Sequence, residues 1–438
     1  MYQGLKGFRD FYPEEMAAHR AVIDSVEAVT RRYGFREIGT PRLERAEMWT
    51  DKSGDEIVEE LYAFEDKGGR MVTLTPELTP TVARMVVARQ QALSKPIKWV
   101  STRPFWRYEQ VQQGRFREFY QTNVDTFGTD DPRADAEIIA VAADMMRELG
   151  LPAEEFEFRV SHRDILGGLF ESMDDAVDTE AAIRAVDKSA KIETEEYYGL
   201  LTEAGLSRAE AEEFDRLLTR GDLDELVEFA GTERVEDAVE NLRDVLAETE
   251  RLGAREVCTV SLETARGLDY YTGVVFECFD AKGRVSRSIF GGGRYDDLIE
   301  QFGGQPTPAV GFAVGVMNST LPELLEVADV FPEEAISTDY YVLTAGDSDE
   351  VLDVAADVAG DLRALGHVVE TDLSGRGFGS QMGYADSIEA ETVVIVGERD
   401  LADDVVTLKD MGTGDQTQAP LDSFPPSEGR PTYEDYEG

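Results

Sequence analysis

Apolar residues recur at helical spacing over residues 13–33, behind a proline at the start, and predict a helix. The next stretch, GFREIGTPRLERAEMW, predicts a strand leading into a helix. Residues 53–75 hold a Gly-Asp turn and then LYAFEDKGGRMVTLTPE, a hairpin turning at Lys67, Gly68 and Gly69. A helix is predicted from Thr79 to Leu93. Residues 97–127 are the most strand-like of the chain: IKWVSTRPFWRYEQ, a polar loop VQQGR, then FREFYQTNVDTFG. Asp130 and Pro132 lead into a long helix, ADAEIIAVAADMMRELG, and residues 156–161 return as a strand.

From about 170 to 250 the chain becomes helical and highly charged, which reads as an insertion between two parts of one sheet domain. Strands resume at 256–263 and 273–280, followed by a glycine cluster at 291–293 and further sheet and helix to about 328. Residues 338–411 alternate strands with helices, the pattern of a compact α/β domain with a mostly parallel sheet. The expected organisation is therefore a domain over 1–328 carrying the insertion, an α/β domain over 338–411, and a loosely held acidic tail over 412–438. No internal repeat is visible.

With 42% apolar and 9% aromatic residues, the 438-residue chain can bury full cores in spite of a formal charge of −47. Only nine of the 43 basic residues are lysine, and the acidic residues run along the whole length. A block of acid would read as an interaction tail. An excess over the whole surface instead predicts a protein that stays hydrated in concentrated salt, where the Debye length shrinks to ~3 Å at 1 M. In such salt the same charge is weak evidence against a nucleic-acid partner. No run approaches the ~18 apolar residues of a membrane span, and the first residues lack a signal-peptide pattern. Cys258 and Cys278 lie in apolar runs and predict buried thiols. With His19, His162 and His367 they give no metal-ligand spacing, and the expected compartment is cytoplasmic.

Chemistry concentrates on the strands at 97–127. Side chains alternate between faces. Arg103, Phe105, Arg107 and Glu109 therefore share one face, and Arg117, Phe119, Gln121, Asn123 and Asp125 share one on the return strand. Arginines, carboxylates and amides with aromatics between them do not make an apolar core face; the competing reading is a solvated outer face. Arg115 sits at the tip of the loop and is expected to point outward. RGLDYYTG at 266–273 sets an arginine, an aspartate and two tyrosines before a strand, and one of Tyr270 and Tyr271 is expected in the core. FGGGRYDDL and AVGFAVG bring glycines that let backbone approach a ligand, without a Walker or dinucleotide fingerprint. Glu77 and Thr79 precede a helix, where Thr79 could equally serve as its cap.

Taken together these stretches resemble the histidyl-tRNA synthetases, class II aminoacyl-tRNA synthetases, over nearly the whole chain. TPRLERAEMW looks like motif 1, FWRYEQVQQGRFREFYQTNVDTFG like motif 2, GGGRYDDL with AVGFAVG like the approach to motif 3, and RGLDYYTG like the histidine-specific signature. The resemblance implies an α+β catalytic domain with an antiparallel sheet flanked by helices, a helical insertion, a C-terminal α/β anticodon-binding domain, and a homodimer with Pro41 at its interface. It implies ATP-dependent activation of L-histidine and transfer to tRNA(His), with Mg²⁺ accompanying ATP. Glu77, Thr79 and Gln121 would hold the α-amino group, Asp125 and Tyr271 the imidazole, with Tyr270 shaping the pocket and Tyr295 near the carboxylate. Arg107 and Arg266 would flank the α-phosphate. Glu109 would contact adenine, Phe119 would stack on it, and Arg115 and Arg117 would lie near the phosphates and the tRNA acceptor end.

One departure matters. The family usually carries an arginine in motif 3 that grips the γ-phosphate; here Asn318 holds that position, so either another basic residue such as Arg294 or Arg115 takes over, or ATP binds more weakly, or the chain is not a synthetase. The same departure keeps open a second reading, a synthetase-like regulatory subunit of ATP phosphoribosyltransferase that senses histidine. The 338–411 domain and the intact RGLDYYTG string weigh against it. A third reading, a synthetase for another amino acid with the same C-terminal domain, such as glycine, threonine or proline, is weighed against by RGLDYYTG and the Asp125–Tyr271 pair.

Overall fold

The structure is a computed structural model that describes residues 2–50, 58–112, 114–173, 177–189, 192–262, 271–333 and 337–425. The chain divides into a first unit that ends at Pro332 and a second that begins at Glu333, with Tyr12–Ala17 grouped with the second.

In the first unit an eight-stranded sheet is built from β1 (Arg36–Glu37), β5 (Ile97–Trp106), β6 (Glu118–Phe127), β7 (Phe156–His162), β8 (Cys258–Val260), β9 (Val274–Asp280), β10 (Phe290–Arg294) and β11 (Ala309–Met317). The order is β1-β5-β6-β11-β10-β9-β7-β8, antiparallel except for the parallel outermost pairs β1–β5 and β7–β8. A separate three-stranded sheet pairs β2 (Leu43–Arg45) and β3 (Ala63–Glu65) with β4 (Met71–Leu74). The turn between β3 and β4 is the predicted one: Asp66 accepts hydrogen bonds from the Gly68 and Arg70 amides, and Gly69 takes a φ of 75°. The predicted Gly-Asp turn before it, at Gly54 and Asp55, lies outside the described residues.

One face of the large sheet is apolar for a plain reason. Val100, Val124, Val310, Phe312 and Val314 occupy alternate positions on their strands and pack with the helix Pro132–Glu148, whose buried positions are nearly all Ala, Ile, Val and Met. Pro132 starts that helix, as the sequence predicts, and its cap is Asp131, which accepts from the Arg133 amide, rather than Asp130. The charged insertion is helical: Thr179–Lys188, Thr194–Glu203, Arg208–Arg220, Leu223–Ala230 and Glu233–Arg251 follow one another. It leaves the sheet after β7 and returns at β8 and β9, and β7 pairs with β9, so the sheet is uninterrupted in space. The inner residues of the insertion join the main core. Cys258 and Cys278 are buried there, and burial pushes both thiols up, Cys258 to about 11.

The second unit has a five-stranded sheet of β12 (Thr338–Ala345), β13 (Val369–Thr371), β14 (Ala390–Gly397), β15 (Val405–Asp410) and β16 (Gln416–Pro420), in the order β13-β12-β14-β15-β16. The first three are mutually parallel, and β15 and β16 add antiparallel edges. This corrects the expected boundary at 411. Gln416–Pro420 is an edge strand that pairs with β15, and its Ala419 is fully buried. Polar side chains and a terminal proline are tolerated at an edge, which is why the segment does not look strand-like. The rest of the expected tail, 426–438, lies outside the described residues.

Candidate active site

The other face of the large sheet carries the chemistry. Across β5 and β6 the register sets Phe105 opposite Phe119, Arg103 opposite Gln121, Ser101 opposite Asn123 and Trp99 opposite Asp125. Directly opposed residues share a face, so the two polar rows read from the sequence form one surface. On the next strand Gly315 lies opposite Gln121, Ala313 opposite Asn123 and Gly311 opposite Asp125. A Cβ on Gly311 would run into the Asp125 carboxylate, and one on Gly293 would come within 3.0 Å of the Tyr271 ring. The glycines are therefore the floor against which these two side chains fit.

Asp125 is buried and accepts a short hydrogen bond from the Tyr295 hydroxyl. Burial pushes its carboxyl up to about 7, and the Tyr295 bond opposes that only in part. Tyr271 packs edge-on to Tyr295, with ring centroids 6.5 Å apart, among Leu78, Phe105 and Phe127. Gln121 donates to the Asn123 side chain at 2.8 Å. Glu77 is buried, which raises its pKa against the attraction of Arg107. Arg107 Nε donates to the Pro76 carbonyl at 3.0 Å, which ties the guanidinium to the backbone beside Glu77. Arg103, from the same face, is used structurally: it is buried and donates to the Pro41 carbonyl and to Thr75.

Beyond Arg107 the surface opens into a cavity of about 350 Å³. Phe119 lies on its wall, tilted against Phe105 at 6.1 Å and under the Arg107 guanidinium at 5.8 Å. Glu109 and Arg115 also line it, joined by a short ion pair. Arg115 thus reaches across the hairpin to Glu109 while its side chain stays 50% exposed, as expected of a loop tip. Arg117 donates to the Glu109 carbonyl at 3.1 Å and stacks on Tyr108 at 3.8 Å. Asn318 takes a φ of 56°, donates to the Glu118 carbonyl at 3.1 Å, and lines the same cavity.

Two expectations are corrected. Arg294 is not available to a phosphate. Gly291 and Gly293 face the site, so Arg294 faces the other way, where it is buried in an ion pair with Asp135 of the helix Pro132–Glu148 and held by Asp296 and the Thr129 carbonyl. Thr79 does not cap its helix: Leu78 is the cap residue, with no side-chain bond, and the helix runs Thr79–Arg89, shorter than predicted. Arg266 and Tyr270 lie outside the described residues. The sequence reading missed Glu277, Arg287 and Thr320, which line the cavity. Glu277 was legible, since it lies two positions from Val275 and so on the same face of the strand; Arg287 stands in a polar turn with no periodicity to mark its direction.

The arrangement can do two things. A buried carboxyl–phenol group beside a second tyrosine can read a small ring with both a donor and an acceptor. A cavity with an aromatic wall and several guanidiniums, in a chain of charge −47, can hold a base and its phosphates.

Comparison with known proteins agrees with that reading. A family profile described as histidyl-tRNA synthetase matches residues 7–318, and one described as anticodon binding domain matches residues 339–426. The histidine–tRNA ligase of Natronomonas pharaonis is 71% identical over 436 residues, covering 100% of both chains. That of Halorubrum lacusprofundi is 66% identical over 448 residues, again covering 100% of both. The crystal structure of histidyl-tRNA synthetase from Nostoc sp. PCC 7120 matches with a TM-score of 0.79 at 25% identity, over 96% of this chain and 97% of that one. Full-length relatives of this kind do not favour the regulatory-subunit reading. The chain belongs to the histidyl-tRNA synthetase family.

Proposed function

We propose that the chain activates L-histidine with ATP to histidyl-adenylate and transfers the histidyl group to the 3′ end of tRNA(His). The observation that carries this reading is the single sheet face on which Asp125, Tyr295 and Tyr271 stand beside an arginine-lined cavity.

In the first step a carboxylate oxygen of histidine attacks the α-phosphorus, and the bond to pyrophosphate breaks. Negative charge grows on the phosphate oxygens, so the residues needed are fixed cations and little else. Arg107, anchored to the Pro76 carbonyl, is one, and Arg266 is its partner in this reading. Phe119 stacks on adenine, Glu109 contacts it, and Arg115 and Arg117 serve the phosphates and the tRNA end. On the amino-acid side Glu77, Thr79 and Gln121 take the ammonium group. Asp125 and Tyr271 take the two imidazole nitrogens, with Tyr270 and Tyr295 completing the pocket. A site that pairs hydrogen bonds this way rejects analogues lacking them by ~10⁴–10⁵. In the second step the terminal ribose hydroxyl of the tRNA attacks the activated carbonyl and AMP leaves.

Mg²⁺ would enter with ATP. Glu277 lines the cavity, and a carboxylate plus phosphate oxygens is a donor set Mg²⁺ accepts. Bound there, the ion would offset phosphate charge. The same reading makes the protein a cytoplasmic homodimer with Pro41 at the interface and gives residues 338–425 to the anticodon. Among the described residues, no helix is long and apolar enough to cross a membrane.

The test is pyrophosphate exchange with each amino acid, then charging of tRNA, in molar KCl. Exchange with histidine alone, followed by charging, is expected. Histidine binding without exchange would support the regulatory alternative instead. Undiminished activity in dilute buffer would contradict the salt requirement read from the −47 charge.

A further inference from the structure

The motif 3 position holds an asparagine, and Arg294 is buried on the far face of the sheet. The cavity nevertheless contains a third guanidinium besides Arg107 and Arg115, that of Arg287. It enters from the turn between β9 and β10, on the wall that also holds Asn318 and Thr320. Its Nε donates to Thr320 Oγ1 at 3.0 Å, and it pairs with Glu323 at 2.6 Å. Gly114 of the β5–β6 loop closes over it: a Cβ there would collide with the Arg287 guanidinium, and the glycine takes a φ of 59°. Arg287 is thus fixed in direction from two sides. Beside it, Asn318 Oδ1 and Ser319 Oγ are buried and find no hydrogen-bond partner among the described residues, an arrangement that calls for a polar ligand.

We propose that Arg287 binds the terminal phosphates of ATP, in place of the arginine that Asn318 displaces. The inference rests on the functional reading above. Arg107 is tied to the backbone next to Glu77, which marks the end of the cavity where amino acid and α-phosphate meet. Arg287 stands on a different element and wall, where the phosphates beyond the α position have room. An arginine fork oriented by Thr320 and Glu323 gives directional charge-assisted bonds without losing much side-chain freedom on binding.

The experiment combines exchange kinetics with calorimetric titration of ATP and of AMP, on the full chain in molar KCl. Arg287→Ala is expected to raise the KM for ATP roughly ten- to hundred-fold. The KM for histidine and the affinity for AMP should stay as in the unaltered chain. Arg287→Lys should recover part of the loss, and Arg287→Gln, which can still donate to Glu323, should not. Equal weakening of ATP and AMP would make Arg287 a structural residue and overturn the proposal, as would an unchanged KM for ATP. If the unaltered chain showed no histidine-dependent exchange, the functional reading would fall. Titration would still decide Arg287, because the preference for ATP over AMP must then shrink in Arg287→Ala or not.

Discussion

The two faces of the large sheet are made by the same strands and differ in almost everything else. On one, Val100, Val124, Val310, Phe312 and Val314 meet an alanine- and isoleucine-rich helix. On the other, Asp125, Asn123 and Gln121 meet glycines and alanine of β11 at the same register positions. The first face excludes everything by filling its space. The second leaves room by omitting side chains, and places its polar groups at depths where water does not screen them. Alternation along β6 separates the two by a single residue: Val124 belongs to one and Asp125 to the other. Stability and chemistry are thereby assigned to opposite sides of one element, and substitutions should separate them.

The largest effect is expected at Asp125. Asp125→Ala should lower histidine-dependent exchange by roughly 10⁴-fold, because in the proposed reading the imidazole loses its hydrogen-bonding carboxyl inside a buried site; steady-state exchange with intact thermal unfolding checks it. Arg107→Ala should cost roughly 10²–10³ in turnover, as for loss of one fixed donor to developing charge, with a smaller change in the KM for histidine. On the opposite face, Phe312→Ala should cost ~3–5 kcal/mol of stability. The surviving folded fraction should keep its KM values, which denaturant titration beside kinetics would show. A variant at Phe312 that altered histidine affinity as strongly as stability would break the division between faces. Phe119→Ala should raise the KM for ATP roughly ten-fold or more, from loss of ~1–3 kcal/mol of base stacking.

A further prediction concerns pH. The Asp125 carboxyl is raised from 3.8 to about 7 in the folded chain, chiefly by burial. Between those values the folded chain keeps a proton that the unfolded chain gives up. Stability from this group is therefore present below about pH 4, falls as pH rises toward 7, and is gone above it. Asp125→Asn should flatten that part of the stability profile and raise the unfolding midpoint at pH 8, while abolishing activation. An unchanged profile would place the carboxyl in a more solvated setting than the structure gives it.

Much of this was legible in the residues. The polar rows of β5 and β6 followed from alternation, because a strand's period is two and the rows were too polar for a core. The same rule, applied to GGGRYDDL, would have turned Arg294 away from the site, since it follows Gly293 on the strand. The Asp125–Tyr295 bond was not legible, because the two residues are 170 positions apart and only the strand order β6-β11-β10 brings them near. Arg287 was hidden for a related reason: a turn has no period, and its direction is set by Thr320, Glu323 and Gly114, which come from elsewhere in the chain. β16 escaped notice because an edge strand can form without aliphatic residues.

The account is tested most directly by a crystal structure of the protein with histidine and a non-hydrolysable ATP analogue. It predicts an imidazole nitrogen at hydrogen-bonding distance, roughly 2.7–3.2 Å, from the Asp125 carboxylate, and a triphosphate lying between Arg107 and Arg287. Histidine bound away from Asp125, or a nucleotide seated outside the cavity beside Phe119, would contradict it.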